Sequence, residues 1–181
     1  MATPDRRVRR TRDSLHRALI ELMMERTYDR ITVSDVITRA DIGRSTFYSH
    51  YRDKDELLVV SCADYLRKEI ARTSSRGPWT PVRVMLGLAA GHPEVYRPLI
   101  GPKASITALR GYRNSIATIL REYFAERPGL LVDELTVTTV SWALVGLLSA
   151  VADATDPVPP EKAWRHFETV FAERLLRDER D

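Results

Sequence analysis

Apolar residues recur every three or four positions through most of this chain and rarely alternate, a pattern that predicts helices throughout and no sheet. From Asp13 to Arg26 the stripe Leu15, Ala18, Leu19, Leu22 and Met23 marks one amphipathic helix. After a tight "TYDR" turn, Thr32 and Asp35 form a capping-box pattern, and Val33, Val36, Ile37 and Ala40 give a short second helix its inner face. Ala40-Asp41-Ile42-Gly43 closes that helix at once. Aspartate tolerates the left-handed conformation of a sharp turn, and glycine serves as the next N-cap. A third short helix must therefore meet the second at a steep angle.

On this third helix Phe47 and Tyr51 share a face, the one expected to pack against Leu19, Ile37 and Ile42. Around the rest of the cylinder lie Ser45, Thr46 and Ser49, with Tyr48 and His50 on the flanks and Arg44 at the N-terminal end. The segment holds too many hydroxyls for a core and too many aromatics for a loop. Such a surface suits a groove lined by base edges and phosphates, with the free N–H groups of the helix start facing anionic oxygens. The alternative is an ordinary surface helix rich in serine. Asp53 and Glu56 then bracket the start of a fourth helix running to about Thr73, where Lys54 is placed to reach a phosphate.

Beyond the loop "TSSRGPWTP" the pattern predicts helices over 81–90, 93–100, 104–126, 132–154 and 160–177, broken at glycine and proline. The fold expected is all-α, an N-terminal three-helix helix-turn-helix unit (residues 1–54) followed by a C-terminal helical unit (residues 55–181). The longest apolar run, Trp142 to Ala152, falls short of the roughly 18 residues that span a bilayer, so no membrane partner is expected.

Charge sharpens this division. Residues 1–54 carry 12 Lys and Arg against 8 Asp and Glu, whereas residues 55–181 carry 16 against 17. The surplus is concentrated in Arg6, Arg7, Arg9, Arg10 and Arg12, an arm suited to a polyanion and expected to follow the DNA backbone or an adjacent minor groove. A solvated tail is the other reading. One cysteine, Cys62, excludes an intrachain disulfide and leaves a cytoplasmic location as the default.

Catalysis finds little support. His16, His50, His92 and His166 include no pair at metal-ligand spacing, and there is neither a glycine-rich phosphate loop nor a nucleophile elbow. Cys62 lacks a basic cluster and reads as a buried apolar residue. No enzyme activity, cofactor or metal is expected.

Residues 11–58 resemble the DNA-binding domain of the TetR family of transcriptional regulators, most specifically in "ITVSDV" and "STFYSHYRDKDEL". "EVYRPLIG" and "WALVGLLSAVAD" are similar to stretches of that family's variable C-terminal domain. The resemblance implies a homodimeric repressor that inserts its third helix into the major groove of an operator and lets go when a small molecule occupies the C-terminal domain. It assigns base or phosphate contacts to Arg44, Ser45, Thr46, Tyr48 and His50, to which the outward position of Ser49 adds a sixth. Phosphate contacts fall to Lys54, Thr32 and Ser34, and the basic arm contributes Arg9 and Arg10. Many members have Gly at the position of Asp41 and Ser or Thr at that of Gly43, so the third helix here carries a weaker cap.

Two surfaces of the C-terminal unit invite partners. Over 132–154 one helical arc is apolar (Val137, Val140, Leu144, Leu147, Leu148, Val151), while the opposite arc holds Thr139, Trp142, Ala143, Gly146, Ser149 and Ala150. This second arc is too apolar for a plain solvent face, and its small residues admit a close backbone approach. With Trp164, Phe167, Phe171 and Leu175 of the last helix it forms an expected four-helix homodimer interface, unless both faces pack only within one chain. Leu109, Tyr112, Ile116, Ile119, Leu120 and Tyr123 line one stripe of the helix from 104. With Met85, Tyr96, Leu99, Leu144 and Leu148 they either wall a pocket for a small apolar or amphipathic ligand or fill a dry core.

Overall fold

The computed structural model of the protein describes residues 6–74, 77–127 and 132–172, and among these every regular element is helical. Helix α1 (Arg6–Glu25) buries the predicted stripe from Leu15 to Met23. It starts two turns before that stripe, because the arginine-rich segment contains good helix formers and no glycine or proline. The expected basic arm is thus corrected: from Arg6 onward it is helix, with Arg9 and Arg10 exposed on its first turns.

A single 3₁₀ turn (Tyr28–Arg30) leads into α2 (Val33–Ala40). The capping box is present as predicted: Thr32 Oγ1 accepts from the Asp35 N–H at 3.1 Å, and the Thr32 N–H donates to Asp35 Oδ2 at 2.8 Å. At the other end Asp41 adopts φ 52° and ψ 51°. Its N–H donates to the Thr38 carbonyl and that of Ile42 to the Ile37 carbonyl, the Schellman closure that turns the chain into α3 (Arg44–Tyr48). We predict a stability order at position 41 of Gly above Asp above Val. Asp41→Val should cost about 1 to 2 kcal/mol because a β-branched residue is strained in the left-handed region. Thermal unfolding of the three proteins checks the order.

The remaining described helices form one packed bundle. Helices α4 (Lys54–Arg72), α5 (Thr80–Gly91), α6 (Pro93–Ile100), α7 (Ile106–Ala125), α8 (Glu134–Val151) and α9 (Pro160–Phe167) follow the predicted segments closely. Side-chain caps from Asp53, Ser105 and Asp133 fix three of their starts. After Phe167 the backbone continues as a π turn (Glu168–Ala172), and positions 173–177 of the predicted last helix lie outside the described residues. Helix α4 packs along α7, α7 against α8, and α5 against both α8 and α9, while α1 rests on α2, α4 and α6.

Helix α8 is 18 residues long with a mean hydropathy of 1.5, enough by length and composition alone to cross a bilayer, a test that the core helix of a globular protein also meets. In the folded chain its inner stripe, Val137, Val140, Leu144, Leu148 and Val151, is core. The opposite side stays uncovered: Leu135, Thr139, Trp142 and Gly146 are exposed, and Ala143 and Ala150 are half-buried.

The aromatic face expected on α9 divides. Phe167 is fully buried, its ring 5.1 Å from that of Trp79, so it belongs to this chain's own core rather than to a partner's surface. Trp164 and Phe171 stack on it half-buried, and the Arg83 guanidinium covers Trp164 at 5.0 Å. Leu175 lies outside the described residues.

Candidate nucleic-acid interface

Five residues are too few for a helix to hold itself together in water, so α3 depends on what it buries. Phe47 is completely enclosed, with the rings of Tyr48 at 5.3 Å and Tyr51 at 6.0 Å. With this anchor turned inward, Arg44, Ser45 and Tyr48 face out on a convex edge, and Thr46 is half-buried beside them. The Arg44 guanidinium lies over the Tyr48 ring at 5.7 Å, which holds a cation and a hydroxyl together at the tip of the edge.

Ser49 and His50 follow the helix in a turn rather than continuing it. Ser49 Oγ donates to the Thr46 carbonyl at 2.7 Å, so its hydrogen is already committed and only its oxygen remains to accept. His50 is half-buried beside Tyr51, their rings 6.2 Å apart.

Two of the expected phosphate contacts have structural duties. The Thr32 hydroxyl donates to Asp35 Oδ2 at 2.7 Å and accepts from the Asp35 N–H, so the cap of α2 takes up its hydrogen; Ser34, two residues on, is exposed. Lys54 is corrected more strongly. Its Nζ donates to the carbonyls of Tyr28 at 2.9 Å and Ile31 at 2.8 Å, and sits 4.2 Å from the centre of the Tyr28 ring. The ammonium therefore clamps the 3₁₀ turn to the start of α4, leaving one N–H to reach outward.

These positions give a contrast that measurement can resolve. Lys54→Ala should lower the unfolding free energy by roughly 1.5 to 3 kcal/mol, because it removes hydrogen bonds to a charged group. Arg44→Ala should leave unfolding unchanged and weaken binding to the preferred DNA site by about 1 to 3 kcal/mol. Urea unfolding and DNA titration of both variants decide the point, and a Lys54→Ala protein of unaltered stability would refute the clamp.

The edge is tied to the bundle by two polar networks. Arg12 Nε donates to Tyr51 Oη at 3.2 Å, its Nη2 meets Asp64 of α4 at 3.0 Å, and His16 Nε2 lies 2.8 Å from the same tyrosine oxygen. On the other side Asp55 accepts from the Tyr28 hydroxyl and from Ser105 Oγ at the start of α7, each at 2.6 Å. Burial beside Asp55 pushes the Tyr28 hydroxyl far above its ordinary pKa, so it stays a donor.

His16 is held neutral, its pKa lowered to about 4 chiefly by desolvation, with Asp64 and Asp13 opposing and Arg12 and Lys68 reinforcing the shift. Between pH 4 and 6.5 the unfolded chain then binds the proton and the folded chain does not. Stability should accordingly be constant from this source above pH 6.5 and fall as the pH drops toward 4, by on the order of 2 to 3 kcal/mol. His16→Gln should flatten that part of the profile, measured as urea midpoint against pH.

The residues of this network carried no signal of it in sequence. Arg12 read as part of the arm and His16 as a solitary histidine; only their i, i+4 spacing on the polar side of α1 hinted at a shared partner.

The interior expected to hold a ligand is filled. Met85, Leu99, Tyr112, Ile116, Leu120, Leu144 and Leu148 have no exposed surface and pack into one core, so the open pocket expected there is corrected to a packed interior. Of the expected ligand contacts, Tyr96 lines a cleft of about 600 Å³ between α1, α4 and the α5–α6 corner. Cys62 forms part of its wall, its thiol pushed up to about 12 by burial and thus un-ionised.

Comparison with known proteins agrees with this geometry. Residues 15–60 match the family described as bacterial regulatory proteins, tetR family. A helix-turn-helix transcriptional regulator of Bacillus subtilis (strain 168), YxbF, described as uncharacterized, is 43% identical over 67 residues, covering 34% of this chain and 18% of that protein. The regulator TcmR of Streptomyces glaucescens is 25% identical over 132 residues, 72% of this chain and 54% of its own length. The chain thus spans about half or less of these curated relatives. A solved TetR transcriptional regulator from Rhodococcus sp. RHA1 superposes with a TM-score of 0.64 at 19% identity, covering 91% of this chain and 96% of the other, which shows a shared fold.

Proposed function

We propose, from the match of residues 15–60 to the TetR family of bacterial regulatory proteins, that the chain is a DNA-binding transcriptional regulator of that family and acts as a homodimeric repressor of a palindromic operator. The observation that carries the proposal is the edge of α3, where a fully buried Phe47 turns Arg44, Ser45 and Tyr48 outward. Thr46, His50, Ser34 and the exposed Arg9 and Arg10 would extend the contact to bases and backbone. We divide the chain at residues 54 and 55 into a DNA-reading unit and a regulatory unit, with the cytoplasm as its place of work.

A dimer follows from reach and from surface. One α3 edge covers few base pairs, and two held about one helical turn apart gain affinity through effective concentration. The uncovered apolar side of α8 is the surface that supports such a pairing. Release by a small molecule completes the reading, with the cleft beside Tyr96 replacing the filled core as the place to bind it. That filled core supports a second reading, a regulator or activator that is constitutive or controlled by a protein partner. Selection of bound sequences from random DNA, with and without candidate ligands, tests both. A palindromic consensus whose recovery falls when a ligand is added is the result expected, whereas enrichment of no sequence would overturn the proposal.

A further inference from the structure

The cleft between α1, α4 and the α5–α6 corner has a chemistry of its own. Its volume of about 600 Å³ lies within the usual range of small-molecule sites. Part of its lining is apolar, from the partly buried Leu88 and the buried Val95 and Tyr96. Its rim is charged, and the charges are unequally paired. Asp64 is held by Arg12 at 3.0 Å and by Arg67 at 3.8 Å, and Glu21 faces Arg39 at 3.6 Å. Arg17 and Lys68, which also line the cleft, meet no carboxylate of any described residue within 4 Å, and Asp13 is the sole lining acid left without a cation. Two available cations against one available carboxylate, above an apolar wall, favour a molecule with a greasy body and a negative head.

The cleft also touches the DNA-reading edge through a short path. His16 lines it and lies 2.8 Å from Tyr51 Oη. Tyr51 in turn follows α3, with its N–H donating to the Phe47 carbonyl at 3.0 Å. His16 thus stands between the cleft and the short helix that Phe47 anchors.

We propose that this cleft binds an amphipathic organic anion, its body against Leu88, Val95 and Tyr96 and its head near Arg17 and Lys68, and that occupancy is passed to α3 through the His16–Tyr51 hydrogen bond. The inference rests on the ligand-released reading above and gives it a site and a ligand class. A ligand acts here only by preferring one arrangement of α1 and α4 over the other.

The test uses the purified full chain with decanoate as probe, and decanol and decyltrimethylammonium as uncharged and cationic counterparts of the same body. Calorimetry should show decanoate binding, with both counterparts weaker. Lys68→Glu should weaken decanoate by about tenfold or more through loss of a charge-assisted contact while leaving operator affinity without probe unchanged. Decanoate should lower operator affinity of the parent protein. In Tyr51→Phe, and independently in His16→Gln, it should still bind but lower operator affinity less. Absence of decanoate binding, equal binding of the three probes, or an undiminished affinity in Lys68→Glu would overturn the site. Undiminished operator release in both Tyr51→Phe and His16→Gln would overturn the relay. A chain that bound decanoate yet enriched no DNA sequence would instead remove the regulatory reading and leave the site standing.

Discussion

Phe47→Ala should cost about 3 to 5 kcal/mol of stability and abolish specific DNA binding, the largest effect expected of any single substitution in the reading unit. The ring has no exposed surface, and its removal leaves a void between α1, α2 and α3 that neighbouring side chains fill only partly. Because α3 has only five residues, with no side-chain cap at Gly43, little else keeps it helical. Local opening should therefore precede global unfolding, visible as fast hydrogen exchange at residues 44–51 under conditions where α7 remains protected. Phe47→Leu retains most of the buried volume and should keep specific binding. If Phe47→Ala lost operator affinity with an unaltered urea midpoint, the ring would have to touch DNA itself, contrary to its burial.

Gly146→Arg should convert the protein to a monomer and weaken operator binding by about two orders of magnitude or more, the scale of the avidity lost when two linked sites become independent. The position separates intrachain from interchain effects unusually well. A β-carbon built there meets nothing within 4 Å beyond the helix's own backbone and its chain neighbours, and glycine is a poor helix former, so within one chain the substitution is harmless or slightly stabilising. Against a second α8 the same side chain would place a charge and its bulk where Trp142, Ala143 and Ala150 are expected to meet their copies. Trp142 is a less informative position, because its ring already carries the Arg113 guanidinium at 5.1 Å. Sedimentation and operator titration should move together: a Gly146→Arg protein still dimeric at micromolar concentration would take α8 out of the interface.

Both predictions combine a local pattern with a long-range contact, and the two were not equally legible. Helix positions, the capping box at Thr32, the left-handed turn at Asp41 and the inward Phe47 all depend on spacings of five residues or fewer, which the chain displays directly. The side on which α8 would be left uncovered was legible too, because one arc is uniformly large and aliphatic and the other mixes small and hydroxyl-bearing residues with one tryptophan. What periodicity cannot say is whether an apolar stripe encloses space or fills it. The stripe from Met85 to Leu148 suited a pocket and a core equally, and only the packing of α5, α6, α7 and α8 against one another made it solid.

Polar groups divided in the same way. The sequence alone determined that Arg44 and Ser45 begin a short helix of one buried and one open face. Tertiary structure decided that Lys54 spends its hydrogens on carbonyls 23 and 26 residues away, and that Arg12 and His16 converge on a tyrosine 39 and 35 residues distant. A helix fixes the direction of a side chain through backbone geometry within a turn, whereas the partner of a long cation or an imidazole is whatever the folded chain brings within about 3 Å of it. No local spacing encodes that meeting.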